Sequence, residues 1–256
     1  MPETTLTDLE TGTYVYAVVP ALEAAAPSKM RGIDDATVEF VVHGSLAAAV
    51  GQITLDRPPG RRRELVAHSD VVNALAGRGP VIPVRFGSIM HDESEVVADV
   101  LAAHHDHMVD TLERLRGTTQ LNLRATYVED QLLAEVVRDR PDIAELRRRT
   151  KSLPPGTPHP DLVRLGELVA GEVDDRREGD AQDLVDAVES RVIALSVRPG
   201  TGIERVVDLS MLVELEAVSS LEEHLEAIAE AVHERVHLEL TGPMAPYDFV
   251  ADVPWV

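Results

Sequence analysis

The densest group of side chains able to bind a metal or move a proton in this 256-residue chain is His104, His105, Asp106, His107 and Asp110. On a helix His104 and His107 stand one turn apart, as do His107 and Asp110, so two or three of them could share an ion. The chain has no H-E-x-x-H pattern and no evident distant ligand set, so these histidines read instead as flanking the apolar stripe of a long helix. His68, Ser69 and Asp70 are consecutive; on a helix their side chains diverge, and adjacency cannot make a triad of them. The glycine-bearing stretches GRGP (77–80) and RPGTGIER (198–205) complete neither G-x-G-x-x-G nor the P-loop pattern and read as turns. No G-x-S-x-G elbow is present, and carboxylates are so plentiful that no pair of them singles itself out for acid–base work. The expectation is a protein without catalytic residues, bound metal, cofactor or small-molecule substrate.

PVRFGSI (83–89) has a different character. Arg85 follows an apolar run and precedes Phe86 and Gly87, which puts a planar cation among groups that exclude water; an Arg so placed takes a carboxylate or carbonyl partner. A structural ion pair and a binding role are both open to it. The last sixteen residues, TGPMAPYDFVADVPWV, are equally distinct. Three of the eight aromatic residues of the chain (Tyr247, Phe249 and Trp255) fall here, with Pro243, Pro246 and Pro254. Stiff backbone and large side chains of low entropy suit either a plug that folds back onto the protein at the seam between two domains or a contact for a partner.

Composition bounds the choice. With 24 Lys and Arg against 45 Asp and Glu the net charge is −21, so nucleic acid and anionic membrane are poor partners. Cysteine is absent, no apolar run approaches the roughly 20 residues of a membrane span, and the first residues are polar and acidic, which together suggest a cytoplasmic protein. The hydrophobic share of 44% is spread along the chain and is enough for a buried core. Residues 201–256 carry twelve acidic residues against Arg205 and Arg235 alone, so a helix over 219–236 shows a Leu/Ile/Val stripe opposite an anionic face.

The elements that must position these groups follow from periodicity. Alternation and β-forming residues predict strands at 13–20, 37–44 and 45–54, with the turn between the last two at Gly44. Leu65, Val66, Val72 and Leu75 predict a helix over 61–79, VIPVRFGSI (81–89) a short buried strand, and 91–116 a long helix. The second half begins with a strand at 121–129. A helix follows and breaks where Pro141 starts another. The proline-rich stretch 151–160 interrupts the helical pattern, which resumes and then gives a further helix over about 180–195. Strands near 191–198 and at 205–215, the helix 219–236 with Ser219 or Ser220 as N-cap, and a strand at 237–242 complete the order β-helices-β-β-α-β, that of a split βαβ or ferredoxin-like unit. The expected fold is two α+β domains, residues 1–117 and 118–256, the second with a helical insertion and the closing tail.

YVYAVVP in the first strand, VIPVRFGSI after the first helix and a closing TGPMAPYDFV together resemble the gas vesicle GvpL/GvpF family. Pro83, Arg85, Phe86 and Gly87 match its internal motif, and Gly242, Pro243, Pro246, Tyr247 and Phe249 match its closing one. Met244, Ala245 and Asp248 stand where Trp, Pro and Ser are usual. The order of similarity runs from about residue 13 to residue 250. The resemblance implies a non-enzymatic, minor gas vesicle component needed for vesicle formation, which engages the small hydrophobic shell protein GvpA and other accessory proteins. It also implies an N-terminal domain of modified ferredoxin-like form and makes the matched residues candidates for partner or interdomain contact. The alternatives are an adaptor of ferredoxin-like domains that binds another protein through its acidic helix and, third, an enzyme supported by the histidine cluster.

Overall fold

The computed structural model describes residues 11–25, 30–154 and 159–250; Trp255 and part of the 151–160 break lie outside them. The chain is α+β and forms two compact units, one built from residues up to Gln120 together with those from Pro243 onward, the other from Leu121–Gly242. The closing segment, grouped with the second half on sequence, therefore packs within the first unit.

In the first unit β1 (Thr11–Pro20) is central, with β3 (Leu46–Thr54) on one side and β4 (Ile82–Pro83) and β5 (Ile89–Met90) on the other; β2 (Glu39–His43) lies outside β3, giving the order β2-β3-β1-β4. β1 is buried along nearly its whole length rather than alternating, and helices from before and after β4 and β5 both pack against it. Its register with β3 shifts between Val15 and Ala17, a bulge at Tyr16. β2 and β3 are joined at Gly44, whose φ of 60° suits the tight turn expected there. The helix α1 (Arg62–Ala76) covers the sheet. Its buried stripe is Glu64, His68, Val71, Val72 and Leu75; Val72 and Leu75 lie where expected, whereas Leu65 and Val66 are each 48% exposed.

Two further expectations need correction here. The stretch 81–89 is not one strand. Ile82–Pro83 and Ile89–Met90 pair with β1 separately, and the residues between loop out as a turn closed by the Ser88 N–H on the Arg85 carbonyl (3.2 Å). The expected helix over 91–116 is broken. A single turn, α2 (Glu93–Glu95), runs into a π-helical stretch, Val96–Ala102, and α3 (His105–Arg114) starts only after His104 leaves helical geometry at φ −128°, ψ 21°.

The second unit holds the four-stranded sheet β7-β8-β6-β9, from β6 (Thr118–Tyr127), β7 (Ala194–Pro199), β8 (Arg205–Glu214) and β9 (Val236–Met244). Between β6 and β7 run α4 (Glu129–Asp139), α5 (Pro141–Thr150, with Pro141 at its first turn) and α6 (Pro160–Glu189); α7 (Val218–Val232) connects β8 to β9. The two helices expected after residue 160 are one, 30 residues long. Ion pairs hold it: Arg176 bonds Glu172, Asp139 and Glu135, Arg140 bonds Glu172, and Arg235 grips Asp180 with two N–H groups at 2.6 and 2.7 Å and reaches Glu135 at 2.9 Å. Neither Ser219 nor Ser220 caps α7. The helix grows instead out of a 3-10 turn at Leu215–Ala217 and has no side-chain cap.

Candidate functional site

The three sequence motifs meet at a residue that none of them contains. His68 projects from the buried stripe of α1 and is 1% exposed. Tyr14 and Tyr16, two apart and hence on one face of β1, flank it: the Tyr14 ring stands edge-on to the imidazole and the Tyr16 ring lies over it, both with centroids at 5.8 Å. Phe86, from the turn between β4 and β5, packs edge-on at 5.6 Å. From the closing segment Tyr247 brings its hydroxyl to 3.2 Å of Nε2, while the Tyr14 hydroxyl lies 3.0 Å from Nδ1.

The tyrosine hydroxyls also hold the backbone around this junction. The Tyr14 hydroxyl accepts the Gly87 N–H at 2.9 Å, and the Tyr16 hydroxyl accepts the Ile33 N–H at 2.9 Å. Burial pushes the imidazole pKa down to about 4, against a hydrogen bond with the Val84 backbone that raises it, so the ring is neutral at pH 7. A neutral imidazole carries one N–H, so one ring nitrogen donates and the other accepts a tyrosine hydroxyl proton. Burial raises the Tyr247 pKa to about 12 and that of Tyr14 above the usual tyrosine range, so both hydroxyls keep their protons. This is a closed hydrogen-bond chain among uncharged groups, suited to fixing a segment in place.

The closing segment is tied down along its length. The Thr119 hydroxyl donates to the Met244 carbonyl (3.2 Å), and the Ala245 N–H donates to Asn73 Oδ1 (3.1 Å). Gln120 and Asp248 bond reciprocally, side chain to carboxylate at 2.7 Å and backbone N–H to amide oxygen at 3.1 Å. Ala245, Pro246 and Val250 are buried, and Tyr247 and Phe249 half-buried. Pro83 is buried in its pairing with Ala17, whereas Gly242 and Pro243 are exposed. Gly87 has φ 94°, a conformation that allows the chain to turn back between β4 and β5. Arg85 is exposed at that turn, not enclosed among apolar groups as the sequence suggested; Val84 and Ser88 stay hydrogen-bonded to β1, and the turn between them puts Arg85 in water.

One further buried charge supports α1. The Glu64 carboxylate accepts N–H groups from Gly60 (2.8 Å), Arg61 (3.0 Å) and Arg57 (3.2 Å), and the Arg57 guanidinium holds its pKa well below the usual carboxylate range. The histidine cluster is dispersed by the break before α3. His105 bonds Asp106 at 3.0 Å and Ser45 at 3.3 Å, with its ring 6.1 Å from that of His43. Among the described residues no three of His, Asp and Glu gather where they could hold a metal ion. No helix among them is long and apolar enough to cross a membrane.

Sequence reading missed His68, Asn73 and Gln120. His68 carried a usable signal, since it continues the stripe set by Val72 and Leu75; Asn73 and Gln120 carried none, since their partners are far along the chain.

Comparison with known proteins places this arrangement. A gas vesicle protein F from Streptomyces sp. (strain CB03234) is 33% identical over 241 residues, 93% of this chain and 99% of its own length. A gas vesicle protein L2 from Halobacterium salinarum (strain ATCC 700922 / JCM 11081 / NRC-1) is 27% identical, covering 96% of this chain and 93% of its own. The crystal structure of the gas vesicle protein GvpF from Anabaena sp. PCC7120 has the same fold, with a TM-score of 0.78 at 18% identity over 93% of this chain and 98% of that one. The family model described as gas vesicle synthesis protein GvpL/GvpF matches residues 12–251, which takes in all three motif segments that converge on His68, and the chain belongs to that family.

Proposed function

We propose that this chain is a minor gas vesicle component and assembly factor that binds the hydrophobic shell protein GvpA and other accessory proteins of the vesicle. Membership of the GvpL/GvpF family gives it a non-catalytic accessory role in gas vesicle assembly, and the match across residues 12–251 is the observation that carries the reading. The physics agrees. A shell subunit that turns apolar surface toward gas is an aggregation hazard before assembly, and a partner of net charge −21 keeps such a complex in solution.

The matched residues divide by exposure. Burial supports a structural role for Pro83, Phe86, Pro246 and Tyr247, with Phe249 beside them, and Gly87, though exposed, is tied to the Tyr14 hydroxyl. Exposure suits Arg85, Gly242 and Pro243 to partner contact. Both units also suit ferredoxin-like descriptions. β6-helices-β7-β8-α7-β9 with sheet order β7-β8-β6-β9 is the split βαβ arrangement with α4–α6 as insertion, and β2-β3-β1-β4 repeats that order in the first unit without a helix between β1 and β2.

The test is co-expression of the shell protein with this chain, tagging only this chain. Shell protein retained in the soluble, bound fraction supports the reading. Shell protein expressed but confined to the pellet counts against direct binding. Arg85→Ala should weaken retention while leaving the melting temperature unchanged.

A further inference from the structure

α7 has a helical neighbour on one flank only. On that flank His224 donates to the Ala187 carbonyl of α6 at 3.0 Å. The opposite flank carries Glu222, Glu226 and Ala229, and beside it lies a groove of about 350 Å³ floored by Leu123, Leu225, Leu238 and Leu240. Among the described residues only α7, β9 and Leu123 of β6 line this groove, so no further helix closes the layer over this edge of the sheet. Leu238 and Leu240 are half-buried and two apart, hence on one face of β9, the face that α7 covers. The carboxylates and the apolar floor therefore share one side of the sheet. The nearby arginines are engaged away from it: Arg235 with Asp180 and Glu135, and Arg124 with Asp208 and Glu239 on the opposite face.

This arrangement selects the secondary structure of an occupant. A strand laid along β9 would turn alternate side chains to the far face, and those reaching the floor would be apolar, leaving Glu222 and Glu226 unmatched. A helix instead sets apolar residues at i, i+3, i+4 and i+7 and basic residues in the adjoining column, on the same side. Glu222 and Glu226 stand one turn apart, the repeat of such a column. We infer that the groove receives an amphipathic helix of a partner protein, with an apolar stripe flanked by Lys or Arg one turn apart. It lies beside α7 as the next member of the layer, with its stripe on Leu225, Leu238 and Leu240 and its cations against Glu222 and Glu226. Apolar burial supplies affinity, and the carboxylate pair fixes which flank of the incoming helix faces α7. The site stands on the second unit alone and does not depend on the gas vesicle reading.

The test uses the full-length chain at physiological salt and three synthetic peptides: a Leu/Lys helix with Lys beside the Leu stripe, a scrambled isomer without a stripe, and the same stripe flanked by Glu. The Leu/Lys helix should bind at least about tenfold more tightly than either control and gain helicity on binding, with new hydrogen-exchange protection in α7 and β9. Glu222→Lys/Glu226→Lys should lose about tenfold in affinity with an unchanged melting temperature. Glu223→Lys/Glu230→Lys changes the net charge equally, but on the solvent face of α7, and should leave affinity within about twofold, since salt screens charges beyond about 8 Å. Equal losses in the two variants would reduce the effect to bulk charge attraction and overturn the inference. Equal binding of the scrambled isomer, or binding without gain of helix, would also overturn it. So would a free chain that sediments as a dimer broken up by Glu222→Lys/Glu226→Lys, because the occupant would then be a second copy.

Discussion

His68 and Tyr247, 179 residues apart in sequence, meet at 3.2 Å through Nε2 and a phenolic hydroxyl in the interior of the first unit. Removing that hydroxyl takes one hydrogen bond from a buried imidazole. Tyr247→Phe should therefore destabilise the chain by about 1–3 kcal/mol in chemical denaturation. Tyr247→Ala with Phe249→Ala should lower the melting temperature further, through lost packing. A double variant as stable as the parent would mean that the closing segment contributes nothing to the fold.

Acid should weaken this junction in a defined window. The His68 pKa falls from an ordinary 6.5 to about 4 on folding, because burial disfavours the cation. Between those values the unfolded chain binds the proton and the folded chain does not, so stability falls as pH falls from 6.5 toward 4. A shift of that size is worth about 3 kcal/mol in all. Glu64 has its folded pKa lowered from 4.5, chiefly by Arg57, so its contribution is present above 4.5 and is lost only below it. The slope between pH 6.5 and 4.5 therefore reports on histidine. It should flatten in His68→Gln, followed by urea unfolding at a series of pH values.

Gly87 separates backbone strain from crowding. A Cβ there would meet no atom within 4 Å, but φ is 94°. Gly87→Ala should cost about 1–2 kcal/mol for conformational reasons alone. Gly60→Ala, also with open space and without left-handed geometry, should be neutral or slightly stabilising. Equal melting temperatures for the two variants would remove the assigned reason for glycine at the β4–β5 turn.

In the second unit, Arg235 holds Asp180 and Glu135 at once, and its guanidinium lies 5.5 Å from the Tyr127 ring centre. The group is 30% exposed, so solvent screens part of its worth. Arg235→Met should cost about 1–3 kcal/mol, because two carboxylates lose their shared cation. Raising the salt concentration should narrow the difference between variant and parent, as thermal melts at low and high ionic strength would show.

The parts of this fold legible in sequence were those that local pattern decides. The first three strands, the turn at Gly44, the start of α5 at Pro141 and the stripe of α7 all follow from spacing and turn chemistry. The stripe of α1 was right at Val72 and Leu75 but wrong in the first turn, because Glu64 reads as a solvent residue until Arg57 and two backbone N–H groups are brought to it. α6 looked like two helices because Gly166, Gly171 and Gly179 lower its propensity, while ion pairs to α4, α5 and Arg235 that offset this are not local. The candidate site divides in the same way. Its motif segments could be recognised one by one, but their meeting point, His68, is defined by contacts from β1, the β4–β5 turn and the end of the chain.

The seat for Ala245 and Tyr247 has a consequence for synthesis. Residues 121–242 are contiguous and can fold as soon as they are made, whereas the first unit lacks its last contributors until the ribosome has passed residue 242. Domains ordinarily fold in the order of translation. Here the earlier half is completed after the later one, and Asn73 and His68 await partners 172 and 179 residues further along. A polypeptide released early, at residue 242, would have a finished second unit and an unfilled first one, and protease sensitivity confined to its N-terminal half would tell it from the full-length product.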